Sequence, residues 1–333
     1  MKFERLILIL CAGSMAGGAS NNSPVLGPVT GYVFDAQAHT IRPMMGIPGA
    51  AYLGAPLVEG LDAASISPDG SAAFAIEGTQ LTLYRGLGSA KAAAVPLNGG
   101  IAADYFAWAP SGTAAAVYSS AARQAQVFGN LLAASPASAT IDLSGLAGRV
   151  AAIAYDGQRI ILAASSPNAG GIYVATARSA PQLAASAVSP AGIVLAGADL
   201  YFADSQAQQI WQVRSYATQP APVVFAADPS LSSPAALQIS ADGARLYVAN
   251  AGNRTLGVYD VPARSPLQSL SLNFTPTALD RFGDSSVFLL NAGNRGNAPL
   301  YVLADHLGRR AVYFVPGTEG AKRQRPPIHY KPL

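Results

Sequence analysis

The strongest constraint on the fold is a repeat. Four segments, Ile66-Ser67-Pro68-Asp69-Gly70, Trp108-Ala109-Pro110-Ser111-Gly112, Tyr155-Asp156-Gly157 and Ile239-Ser240-Ala241-Asp242-Gly243, each end an apolar run at a tight turn, and another apolar run follows. Weaker copies place Gly197 and Gly283 in the same register, so six glycines succeed one another at intervals of 42, 45, 40, 46 and 40 residues. Each segment reads as strand, turn, strand. A second strand follows every glycine, as in Arg245 to Asn250 or Leu200 to Asp204. A polar turn leads to a third, such as Thr255 to Val261 or Gln209 to Val213, and a fourth comes after it at Ala221 to Phe225, Leu267 to Leu272 and Arg310 to Val315. Four short strands in a unit of this length are the signature of a β-propeller blade. A helical solenoid of similar period would need apolar residues at helical spacing and far fewer than 33 Gly and 24 Pro.

Aligned columns agree with that reading. Four residues before each glycine stand Ile66, Trp108, Ile153, Ile193, Ile239 and Leu279, all large and apolar. One residue earlier, on the opposite face of the same strand, stand Ser65, Ala107, Ala152, Gly192, Gln238 and Ala278. Inner strands crowd a common axis, so one face packs bulk against a neighbouring blade while the other stays small.

Leu246-Tyr247-Val248-Ala249-Asn250 with Gly257-Val258-Tyr259-Asp260 resembles the repeat of bacterial surface and periplasmic YVTN-type propellers. The Ser67 to Gly70 turn is similar to that of TolB-like propellers, and Leu200 to Val213 resembles an NHL repeat. The resemblance covers about residues 30–318 as architecture. It implies an all-β propeller and leaves function open, because such folds carry unrelated functions. The expected architecture is six four-stranded blades, with seven as the alternative. The segment Gly31 to Met45 is expected as an extra hairpin at an outer edge, since by itself it would lack an inner strand at the axis.

At 333 residues the chain exceeds the roughly 250 at which single cores stop growing, which a repetitive architecture accommodates. Lys2 and Arg5, the apolar run from Leu6 to Ala16 and the small residues to Ser20 follow the order of a secretory signal peptide over residues 1–19. A lipoprotein variant would use Cys11, the single cysteine. No later run reaches 18 apolar residues, so the expected product is a soluble monomer in the periplasm or outside the cell, without a membrane span. Residues 319–333 hold four cations and Pro326-Pro327 and read as an extended basic tail. Without residues 1–19 and 321–333 the body has 15 basic and 17 acidic residues, which excludes a nucleic-acid partner.

Chemistry is sparse. The three histidines are His39, His306 and His329. His39 with Asp35, and His306 with Asp305, are expected in turns between third and fourth strands; they read as solvated turn residues, and no metal and no cofactor is assigned. Asp280 beside Arg281 reads as an ordinary ion pair near a channel mouth, with Gln238 as the other polar residue of the inner strands. There is no Ser-x-Asp-x-Gly-x-Thr-Trp box, no Trp-Asp repeat and no strand-borne Gly-x-Gly-x-x-Gly.

The candidate binding surface is a second column, seven or eight residues after each glycine: Glu77, Ser119, Ala164, Asp204, Asn250 and Asn291. In two consecutive repeats it opens an identical pentapeptide, Asn250-Ala251-Gly252-Asn253-Arg254 and Asn291-Ala292-Gly293-Asn294-Arg295. Arg254 and Arg295 would be cationic anchors, and Asn250, Asn253, Asn291 and Asn294 orienting amides, for a carboxylate, phosphate or sugar. Turn chemistry alone also accounts for Asn and Gly there. The expected function is a noncatalytic module or scaffold for a protein or glycan partner. The alternative is a lactonase-like or lyase-like enzyme with a metal at the channel mouth.

Overall fold

The computed structural model describes residues 28–317, apart from 90, 98, 168, 283–285, 292–298 and 307. The expected leader (1–19), the whole expected tail (319–333) with His329, and Asn294 and Arg295 therefore lie outside the described residues. The described chain contains no helix; it forms seven four-stranded antiparallel sheets in sequence order. Blades 1 to 7 occupy residues 29–59, 63–97, 105–142, 149–187, 190–226, 234–271 and 280–315.

Seven apolar clusters cement the ring, and each joins neighbouring blades. Ile41 meets Leu61 and Ala75 between blades 1 and 2, Phe74 meets Val117 and Phe128 between 2 and 3, and Tyr118 meets Tyr155 and Leu162 between 3 and 4. Ile161 meets Phe202 between 4 and 5, Tyr201 meets Leu246 between 5 and 6, and Tyr247 meets Phe288 between 6 and 7. The seventh cluster closes the circle, with Val33 and Met44 of blade 1 against Phe282, Leu289 and Leu300 of blade 7. The two-residue alternation of a strand makes this possible, because successive side chains serve opposite neighbours.

The blade count corrects the expectation of six. Val29–Asp35 is itself an inner strand, and Tyr32, Val33 and Phe34 line the axis. Thr40–Met45 is the second strand. The next place is shared by two short pieces: Tyr52–Leu53 pairs with Met44 and Met45, and Val58–Glu59 with Thr40 and Ile41. The hairpin is thus the core of blade 1 and no outer appendage. Its irregular outer portion hid it from a search for evenly spaced strands.

The repeated turns are held locally. Ser67 Oγ donates to Asp69 at 2.5 Å and accepts from the Ala72 amide at 2.9 Å; Ser240 repeats this with Asp242 at 2.5 Å and the Arg245 amide at 2.9 Å. Burial pushes the Asp69 carboxyl up, but hydrogen bonds from Ser67 and Ser71 outweigh it and hold it below its ordinary value; bonds from the Ser240 hydroxyl and the Ala244 amide lower Asp242 likewise. Gly70 and Gly243 have φ of 72° and 70°, a conformation that favours glycine.

Candidate functional site

The inner strands leave an axial cavity of about 400 Å³. Its lining reaches Pro68, Gly70 and Pro110, so it extends to the face that carries the turns between first and second strands.

Strand pairing revises the inner columns. Ile66, Trp108 and Ile239 pair with Ala73, Ala115 and Leu246, and the equivalent places in blades 4, 5 and 7 belong to Tyr155, Leu195 and Arg281, which pair with Ile160, Leu200 and Phe288. Ile153, Ile193 and Leu279 stand two residues earlier on the same face. Blades 4 and 5 turn with two fewer residues, and in blade 7 the glycine comes two residues early. A shift of two preserves the face, so the alternation of bulk survived although the levels were misassigned. The corrected opposite column is Ser65, Ala107, Ala154, Val194, Gln238 and Asp280.

Few channel polar groups are unspent. Trp108 Nε1 donates to Ser65 Oγ at 3.0 Å, and Gln238 Nε2 donates to the Leu279 carbonyl at 3.3 Å. Arg281 donates to the Ile239 carbonyl at 2.8 Å, towards blade 6. Asp280 and Arg281 form no ion pair, contrary to the sequence reading, because neighbours on a strand point to opposite faces. The Asp280 side chain is exposed by area, yet that area opens into the channel and protein surrounds it; this desolvation pushes its carboxyl up to about 6.

The predicted rim lies on the opposite face, where second strands turn into third. Asn250 is completely buried. Its Oδ1 accepts from the Ser232 amide at 3.4 Å and its Nδ2 donates to Thr255 at 3.2 Å. Asn253 donates to the Ser230 carbonyl at 2.9 Å and accepts from Thr255 at 2.8 Å. Asn291 donates to the Pro299 carbonyl at 2.9 Å and accepts from the Tyr301 amide at 2.8 Å. Counted from the inner turns, Asn291 stands at the place of Ala249, so Asn250 and Asn291 are not equivalent positions. Asp204 of the same column likewise accepts from the Val188, Ser189 and Ala207 amides. These amides and carboxylates brace the ends of second strands. Arg254 remains as the exposed cation of the first pentapeptide, at φ 54°.

His39 lies between the first and second strands of blade 1, a correction to its expected turn, and its Nδ1 is 2.9 Å from the Leu61 carbonyl. His306 ends the third strand of blade 7, before the expected turn to the fourth. Asp305 beside it is buried and accepts from Tyr247 at 2.6 Å and Arg310 at 2.7 Å, so its chemistry is structural. Among the described residues no group of three His, Cys, Asp or Glu is placed to hold a metal. A second hollow, of about 320 Å³, lies between blades 4 and 5, but Asp156 there is taken by Arg159 at 3.1 Å and Tyr216 at 3.0 Å.

No protein-family model matches the sequence, and no curated protein sequence matches it. Solved structures do match in shape. A functionally unknown protein of Desulfotomaculum acetoxidans superposes with a TM-score of 0.62 at 13% identity, over 86% of this chain and 99% of its own. A candidate 6-phosphogluconolactonase of Bacteroides fragilis gives 0.59 at 11% identity, over 86% and 92%. Hydrazine synthase of Kuenenia stuttgartiensis gives 0.56 at 9% identity, over 91% and 99%. At such identities the likeness concerns the fold alone.

Proposed function

We propose that the protein is an exported, noncatalytic propeller that binds a protein or glycan partner of the cell envelope. The observation that supports this is the make-up of the channel wall. Among the described residues that line it, Asp280 is the single carboxylate and there is no histidine, and Gln238 and Ser65 are engaged with Leu279 and Trp108. General acid–base or metal-assisted hydrolysis needs at least two such groups converging on one reacting atom. The partner surface is assigned to the rim that carries Arg254, with Arg295 as the second cation. Their guanidinium forks suit carboxylates or other anionic groups on the partner.

The test is affinity enrichment from the native envelope with the mature protein and with Arg254→Ala/Arg295→Ala. A partner retained by the first and lost by the second supports the rim. Equal retention removes it. Export is checked by mass spectrometry: a mature terminus near Ser20 agrees, and an intact Met1 in the cytoplasm does not. A lactonase reading has one observation in its favour, the lone Asp280 carboxyl at a raised value. Lactone hydrolysis abolished by Asp280→Ala would establish it in place of the binding role.

A further inference from the structure

We propose that the axial channel is a binding site for a small organic cation, a protonated amine on an aromatic or branched apolar body, with its ammonium group against Asp280. This site is separate from the partner rim and goes beyond the binding role assigned there.

The cavity, at about 400 Å³, has the volume of a small-molecule site. Its walls are mainly apolar and aromatic, with Tyr32, Phe106, Trp108 and Tyr155 among them. Aromatic faces attract cations, more strongly where water is excluded. The remaining polar groups discriminate between ligand classes. A sugar needs many donors and acceptors, but the Ser65 hydroxyl already accepts from Trp108 and the Gln238 amide already donates to Leu279. A phosphate or carboxylate would meet Asp280, while the Arg281 guanidinium is directed to the Ile239 carbonyl on the neighbouring blade. A bare divalent ion wants six or more oxygens and finds one carboxylate among the described lining residues. An ammonium group with an apolar body satisfies both the carboxylate and the wall.

The electrostatics of Asp280 agree with the geometry. Desolvation is the influence on its carboxyl, with no offsetting charge or hydrogen bond, so Arg281 does not neutralise it. A bound ammonium would supply the missing counter-charge.

The experiment uses the full mature protein and two probes of the same shape, 2-phenylethylamine and 2-phenylethanol, titrated by calorimetry at pH 8. The amine is then fully protonated, because aliphatic ammonium groups titrate near 10. The expected result is at least a tenfold preference for the amine, lost in Asp280→Asn, with alcohol binding unchanged. At pH 5 the wild-type affinity for the amine should fall about tenfold as Asp280 takes up a proton, and the variant should show no such fall. Among the described residues the other titratable groups lining the channel are Tyr32, Tyr155 and Arg281; burial raises both tyrosines further from this range. Ile193→Trp, which fills the cavity from blade 5, should abolish binding of both probes; thermal melting confirms that each variant is folded. Equal affinity for amine and alcohol overturns the proposal, as does an amine preference that persists in Asp280→Asn or in Ile193→Trp, or no binding of either probe.

Discussion

Blade 6 and blade 1 take the same place in the ring with unequal means. Blade 6 has four full strands, and Leu246, Tyr247, Val248 and Tyr259 are almost completely buried. Its Tyr247 reaches the buried Asp305 carboxylate in blade 7, which the partly exposed Arg245 and Arg310 also pair with. Blade 1 has two full strands and then two short pieces, tied by Arg42 to Asp35 at 3.8 Å and to the Gly54 carbonyl at 3.2 Å. Yet Ile41 and Met44 are as deeply buried as the core of blade 6. The difference teaches where a blade must be regular. The first two strands carry the most deeply buried contacts to both neighbours, while the outer portion, with Leu53 and Val58 packed against the junction clusters, can be irregular.

Substitutions in equivalent layers test this from the largest effect down. Phe288→Ala, at the junction of blades 6 and 7, should cost about 3–5 kcal/mol in chemical denaturation. Met44→Ala, at the junction of 7 and 1, should cost about 2–5 kcal/mol if the irregular blade is equally indispensable at its inner strands. A loss below about 1 kcal/mol would show that blade 1 is loosely attached and would break the comparison.

Tyr247→Phe removes one donor to the Asp305 carboxylate and should cost about 1.5–3 kcal/mol near neutrality. Burial raises the Asp305 carboxyl, but the bonds from Tyr247 and Arg310 and the charges of Arg310 and Arg245 outweigh it and hold it below its ordinary 3.8. The stabilisation is therefore present above that value and is lost as pH falls through the lowered folded value. Urea midpoints of both proteins should converge in that acid window. Gly31→Ala sharpens the closing junction, because a Cβ there would lie 2.7 Å from the Phe282 ring; about 1–3 kcal/mol is expected.

Asp280 has the opposite sign. Its folded value of about 6 exceeds the ordinary 3.8, so the folded state holds the proton more tightly. Its contribution is fully present below 3.8 and declines as pH rises through 6. Asp280→Asn should flatten that part of the melting profile, by a modest amount because the group meets channel water. At the small end, Arg254→Ala should move stability by less than about 0.5 kcal/mol, as an exposed turn residue.

Repetition was legible where it is local. The Ser67–Asp69 and Ser240–Asp242 turns have the same bonds, and both were visible as short motifs. Register is less legible: alignment on Gly283 puts Leu279 beside Ile239, whereas strand pairing puts Arg281 in that place. Blade 1 escaped because its third place is broken between Leu53 and Val58. The direction of Asn250 was not legible either. An asparagine that opens a turn reads as rim, whereas burial depends on Ser232, a residue 18 positions earlier that approaches only in the folded ring. The same approach, and no left-handed backbone, explains Gly252, where a Cβ would lie 2.3 Å from Ser232 Oγ. Asp280 stands out in the sequence as an inner-strand acid, but its separation from Arg281 is a property of strand geometry.

Among the described residues every blade is built from contiguous chain, and no strand is exchanged between the first blade and the last. Closure therefore rests on side chains such as Val33, Met44, Phe282 and Leu289 meeting across one junction. A molecule opened there is a horseshoe with two different, mutually complementary apolar ends. Such ends join head to tail, first blade of one copy against last blade of the next, and that arrangement propagates as an open filament when the rotation fails to close. Folding thus becomes a race between intramolecular closure and end-to-end growth, and its outcome depends on protein concentration.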